Sequence, residues 1–236
     1  MAHSNRREAR HRTSGTLAAC LLWAGIVAGA PAAAGECPLP EGSGPELARV
    51  ADTARLAFLR DSLLEEAYRV RLWTSAWAGA FLLLTAGQVA VAPVRPAAER
   101  PDWWIGAGTS TVGLVGMLAL PMSVMDGGPV LDDFVRHLSP GADPCALVAR
   151  GERWLALGAD QEAFGYGWIP HVANVLVNAA LLFAVGFGYD HWISAAINAA
   201  VGFAVGEAMI LTQPTDLIDA WERYRAGTEA EMWPAS

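Results

Sequence analysis

Residues 168–214 read WIPHVANVLVNAALLFAVGFGYDHWISAAINAAVGFAVGEAMILTQP, and this stretch decides the fold. Its first apolar run, 170–187, carries no charge, and its second, 192–212, carries one, Glu207. At 1.5 Å of rise per residue, runs of 18 and 21 residues extend about 27 and 32 Å, close to the ~30 Å hydrocarbon core of a bilayer. Pro170 suits a helix first turn, Gly186, Gly188 and Asp190 break the run, and Pro214 ends the second helix. Trp168, Tyr189 and Trp192 stand where interfacial aromatics are expected. The stretch therefore predicts a transmembrane helical hairpin.

Polar side chains inside such helices must find partners, so their placement is informative. His171, Asn174 and Asn178 fall at i, i+3 and i+7, on one helix face. A tight turn near Tyr189 and Asp190 sets His171 level with about Glu207 or Ala208, so His171, Asn174 and Glu207 are expected to meet near one membrane face. Asn178 is expected to meet Asn198 deeper. Asn198 and Glu207 are nine residues apart, however, about half a turn round a straight helix, so both cannot face the neighbouring helix directly. Between their faces runs a small-residue seam, Ala195, Ala199, Gly202 and Gly206, whose Gly-x-x-x-Gly spacing allows close backbone approach. Two readings of the polar residues stand side by side. The asparagines are interhelical glue with His171 and Glu207 snorkelling at the interface, or His171 and Glu207 form a site.

Working outward, 53% of the 236 residues are apolar and mean hydropathy is +0.29, which agrees with several spans. The net charge of −8 argues against nucleic acid as a partner. Residues 1–34 resemble a cleavable secretory signal. Arg6, Arg7, Arg10 and Arg12 form a basic start, Thr16 to Gly29 is short and apolar, and Ala32-Ala33-Ala34 offers a cleavage site. An uncleaved anchor is the alternative. In 35–71, Ser43 and Glu46 are spaced like a capping box. Leu47, Val50, Ala51, Ala54 and Phe58 repeat at helical spacing. That amphipathic helix has three possible placements: on the membrane surface, against another external segment, or running straight into the first span.

Residues 72–125 read as a first transmembrane hairpin, with spans Leu72 to Ala92 and Trp103 to Met125. Residues 126–169 form an acidic segment in which Asp143-Pro144 opens an amphipathic helix. The second hairpin occupies 170–212. The tail, 213–236, contains a short helix from Asp216 to Tyr224. The expectation is thus an all-α membrane protein: a signal, four transmembrane helices and external amphipathic helices. Helical spans point to an inner (plasma) membrane, multi-pass, with both mature termini outside the cytoplasm. Cys37 and Cys145 then share the side where disulfides persist, and a bridge between them is expected.

No P-loop, Gly-x-Ser-x-Gly, His-Glu-x-x-His or Cys-x-x-Cys motif is present. The histidines make no metal set, and no cofactor is called for. The order His171, Glu207, Gln213-Pro214, Asp216 loosely resembles the VanZ-like small membrane proteins. Their Asp-Lys before the His, Arg after the Gln and later Asn-x-x-Gly span are absent, so no family assignment or residue role is carried over. The leading expectation is a non-catalytic integral membrane protein, in contact with the lipid bilayer and with another envelope protein as partner. The second is a membrane enzyme or small-solute handler at the external interface. There His171 is the acid/base, Glu207 its partner, and Asn174, Asn178, Asn198 and Gln213 are binding residues. A third is a component of a larger transporter.

Overall fold

A computed structural model describes residues 37–119 and 122–227. The signal-like residues 1–34 and the last nine residues lie outside the described residues. Among the described residues there are seven α-helices and no strand: α1 (Asp52–Val91), α2 (Arg100–Ala119), α3 (Val124–Arg136), α4 (Cys145–Tyr166), α5 (Trp168–Tyr189), α6 (Trp192–Leu211) and α7 (Asp216–Ala226). Four helical stretches are long and apolar enough to cross a membrane, and they include α1, α2, α5 and α6. This fits a multi-pass membrane protein.

The third placement of the first amphipathic helix is the one adopted. No proline interrupts the sequence from Asp52 to Val91, and α1 runs 40 residues, about 60 Å, through both the amphipathic segment and the first span. The capping box does not form. Ser43 Oγ donates to the carbonyl of Pro40 at 2.8 Å, Leu47–Arg49 make a single 3-10 turn, and extended backbone at Val50 separates that turn from α1. Asp143 does cap α4: its Oδ1 accepts the Cys145 N–H at 2.8 Å.

Helix α2 is described to Ala119, and a separate helix, α3, opens at Val124. Val124 is fully buried in the core of a helical head, and Met122 and Met125 pack against that core. Helix α3 stands where the sequence reading placed only a loop. Its glycines explain its position. A Cβ on Gly128 would collide with the Leu63 carbonyl, so α3 lies with its backbone directly on α1.

The head comprises the first half of α1 with α3, α4 and α7. Leu59, Leu63, Leu131, Leu155 and Leu217 interlock in its core with almost no exposure. Truncating any one of them to Ala removes about 2–5 kcal/mol. At its N-terminal edge, Arg55 is fully buried and all five of its N–H groups donate. Nε reaches Tyr224 Oη at 3.0 Å, Nη1 reaches the Cys37 carbonyl at 3.1 Å and Asp52 at 3.0 Å, and Nη2 reaches the Pro38 carbonyl at 3.0 Å and Glu152 at 2.6 Å. Tyr224 in turn donates to Glu152 at 2.5 Å. One guanidinium thus ties the entering chain, α1, α4 and α7 together. Beside it Cys37 and Cys145 are joined by a disulfide closing 108 residues.

Beyond the head, the second half of α1 packs along α2, and α5 packs along α6. The two hairpins touch each other only lightly. Asp190, at φ 57° and ψ 28°, makes the left-handed turn between α5 and α6, a conformation that a short polar side chain tolerates. Trp192 folds over Gly186 at this turn.

Candidate functional site

The first turn of α5 and the last turns of α6 lie side by side where the spans meet the head. His171 Nδ1 lies 2.7 Å from Glu207 Oε2, and Asn174 Nδ2 donates to Glu207 Oε1 at 2.9 Å. The same Asn174 nitrogen donates to the Phe203 carbonyl at 3.0 Å. Asn178 Nδ2 donates to both the side-chain and main-chain oxygens of Asn174, each at 2.8 Å. The four side chains therefore form one series, Asn178 to Asn174 to Glu207 to His171, that holds both carboxylate oxygens. The seam permits it. A Cβ on Gly202 would strike Asn178 Oδ1, and one on Gly206 would strike Asn174 Oδ1. The expected meeting of His171, Asn174 and Glu207 is what the tight turn and the two glycines produce.

The deeper contact between Asn178 and Asn198 does not form. Asn178 spends its donors on Asn174, one turn earlier in its own helix. Asn198 lies on the other side of α6, in a cleft toward α1 and α2. The half-turn between Asn198 and Glu207 accounts for this. Gln213 does not join the cluster either. It lies against Gly165 at the end of α4 and donates to the Glu162 carbonyl at 3.4 Å, which ties the end of α6 to the head.

Chemically, the arrangement holds and orients an imidazole. With Nδ1–H donating to a carboxylate, a neutral His171 presents Nε2 as an acceptor. The His171 side chain keeps 33% of its exposure, so an incoming group can reach it. Among the described residues no hydroxyl or thiol is hydrogen-bonded to that ring. The pair therefore resembles the orienting half of a catalytic dyad with no nucleophile attached. Cys37, Asp52 and Cys145 bring three metal-ligand atoms within 4.8 Å of one another, but the two sulfurs are bonded to each other. That group is a disulfide beside a carboxylate that accepts the Cys37 N–H at 3.1 Å.

Two carboxyls went unremarked in the sequence as a pair. Glu66 on α1 and Glu162 on α4 are 1% and 0% exposed and face each other inside the head. Glu162 Oε2 accepts the Leu217 N–H at 2.8 Å, but the other three carboxyl oxygens have no donor. Burial first, and then the neighbouring Glu66, push the Glu162 carboxyl up to about 8. Burial likewise raises Glu66, while Glu162 and Arg69 pull it partly back. A proton shared between the two carboxyls supplies the missing donor. A signal was available, since Leu59, Leu63, Glu66 and Val70 fall at helical spacing, as do Val148, Glu152, Leu155, Ala159 and Glu162. Each glutamate sits on a stripe otherwise given to apolar side chains.

Beside the Arg55 network, two further polar centres thus stand out among the described residues: an ordered His–Glu–Asn–Asn series at the foot of the head and a buried carboxyl pair within it. No known protein family, curated protein or solved structure matches this chain.

Proposed function

We propose that this chain is a multi-pass protein of the inner (plasma) membrane that acts as a non-catalytic assembly or interaction partner of another envelope protein. Its disulfide-stapled head stands outside the cytoplasm. The observation that carries this reading is the closure of the Arg55 and Glu207 networks on their own members. Arg55 satisfies all five donors internally, and Asn178, Asn174, Glu207 and His171 satisfy one another in series. Such networks rigidify and specify a fold. What remains available for business with other molecules is the surface of the head and the outward faces of the spans. The disulfide supports the orientation, because bridges persist in oxidising compartments. The test is co-purification of the full chain in mild detergent after cross-linking. One membrane or envelope protein recovered in fixed stoichiometry supports the reading, and a chain that is recovered alone at native abundance overturns it.

One observation favours a second reading, a site at the interface: the exposed Nε2 edge of an imidazole already oriented by Glu207. Complementation of a strain lacking the protein separates the two. Loss of complementation by both His171→Ala and Glu207→Gln at normal abundance favours the site, and full complementation favours the assembly partner.

A further inference from the structure

At the end of the spans opposite the head, the two hairpins leave a cleft of about 450 Å³ between them. Its mouth is charged. Arg95 and Glu99 come from the loop between α1 and α2, and Asp102 from the first turn of α2. Its walls are apolar: Trp103 on one side, Ile193 and Ile197 on the other. Its floor carries Gln88, Ser194 and Asn198.

Depth makes the floor informative. Asn198 lies six residues into α6 from Trp192, and Gln88 three residues from the end of α1 at Val91. At 1.5 Å per residue the two amides sit about 9 and 5 Å below the helix ends, around the ~5–8 Å of polar interface that flanks the hydrocarbon on each side. Asn198 is exposed into the cleft and its side chain makes no hydrogen bond among the described residues. Gln88 accepts from Ser110 Oγ at 3.2 Å, but its own N–H groups have no acceptor. An amide without partners at the inner edge of this interface is costly to desolvate. A polar occupant with apolar flanks removes that cost.

The mouth says which occupant. Arg95 pairs with Glu99 at 2.8 Å and lies over the Trp103 ring at 5.5 Å, while Asp102 lies 3.0 Å from His191 Nδ1. Arg95 therefore stands beside two carboxylates, and Arg100 donates to the Arg95 carbonyl at 3.1 Å. A guanidinium suits a phosphate, and a carboxylate suits an ammonium with N–H groups to donate. The even balance of charge suits a head group that carries both signs. We propose that the cleft binds one zwitterionic phospholipid with a primary amine. Its phosphate lies on Arg95 and its ammonium on Glu99. Its ester carbonyls accept from Asn198 and Gln88, and its acyl chains run along Ile193 and Ile197. This assignment requires only that the hairpins span a bilayer, and it is independent of what the head contacts.

The test uses the full chain, purified in detergent, stripped of lipid and examined by native mass spectrometry. Phosphatidylethanolamine, phosphatidylcholine and phosphatidylglycerol are added separately at equal concentration. One phosphatidylethanolamine per chain is retained, in preference to the other two by about tenfold, the equivalent of one charge-assisted hydrogen bond. Asn198→Leu removes the retained molecule. Glu99→Gln, in a surface loop, leaves the fold intact and turns the preference toward phosphatidylglycerol, a change that no merely structural role produces. Equal retention of the three lipids overturns the proposal, as does a phosphatidylethanolamine preference that survives Glu99→Gln. A dimer that dissociates in Asn198→Leu also overturns it, because the cleft is then filled by a second copy of the chain.

Discussion

Replacing Glu162 by Gln should stabilise the head at alkaline pH and flatten its response to pH. Glu162 is wholly buried opposite Glu66, and only one of the pair's four oxygens accepts a hydrogen bond. Burial, with Glu66 next, raises the Glu162 carboxyl from 4.5 to about 8. The nearest cation, Arg69, is already paired with Glu65 and Asp216, and Arg223 is the other basic group lining the small cavity next to Glu66. A carboxyl raised in the folded state stabilises most while the unfolded chain also holds its proton, below pH 4.5. That stability is lost as pH climbs from 4.5 towards 8. At about 1.4 kcal/mol per pH unit the whole shift corresponds to ~5 kcal/mol, an upper bound because water can enter and share the cost. Gln has the same shape, carries no charge and donates an N–H to Glu66. Thermal unfolding in detergent at pH 5, 7 and 9, followed by circular dichroism, reads the effect. At pH 9 the variant should exceed the native chain by about 2–5 kcal/mol, while at pH 5 the two should be close. A native chain equally stable at pH 5 and 9, or a variant whose pH slope runs parallel to it, would show that the pair holds no proton.

Arg55→Met leaves Glu152 and Asp52 without their buried cation and should cost about 3–5 kcal/mol, measured by the same unfolding assay; a cost under about 1 kcal/mol would mean the network is incidental. Loss of the Cys37–Cys145 bridge should cost about 2–4 kcal/mol, and thiol labelling of the unreduced protein should fail until a reductant is added. Asn178→Ala should be mild, since its hydrogen bonds run to Asn174 within α5 and even an interhelical bond in a membrane averages only ~0.6 kcal/mol. Gly202→Leu should be clearly worse, because any side chain there strikes Asn178 and parts α5 from α6. The reverse order would remove the close-packed seam.

The second hairpin was legible because its physics is local. Apolar length, a breaker at Asp190 and the i, i+3, i+7 spacing of His171, Asn174 and Asn178 fix the register without reference to the rest of the chain. The head was less so. Val124, Gly128, Leu131 and Val135 repeat at helical spacing, but the stripe opens inside the apparent end of a span and is hidden by Asp126, Asp132 and Asp133. Glu66, Glu152 and Glu162 resemble solvated charges until the partner helix is placed, because whether a carboxyl is buried depends on what packs over it. The break at Val50 is also tertiary. Gly44 N–H donates to the Arg225 carbonyl at 2.7 Å, which holds the entering chain to α7 and away from a capping geometry at Ser43.

Helix α1 has the proportions of a balanced lever. Its midpoint falls between Arg71 and Leu72, and the molecule is pinned there. Arg71 donates to the Met125 carbonyl at 2.6 Å, and the indoles of Trp73 and Trp77 both donate to Thr212 Oγ1 at 3.2 Å. Arg55, which clamps the head, and Gln88, which lines the cleft, each stand about 25 Å from that pivot at 1.5 Å per residue. A rigid tilt of only ~2° displaces each by about 1 Å, in opposite senses. Were α1 to tilt as a rigid rod about that point, a load on the head would arrive at the cleft with its sign reversed.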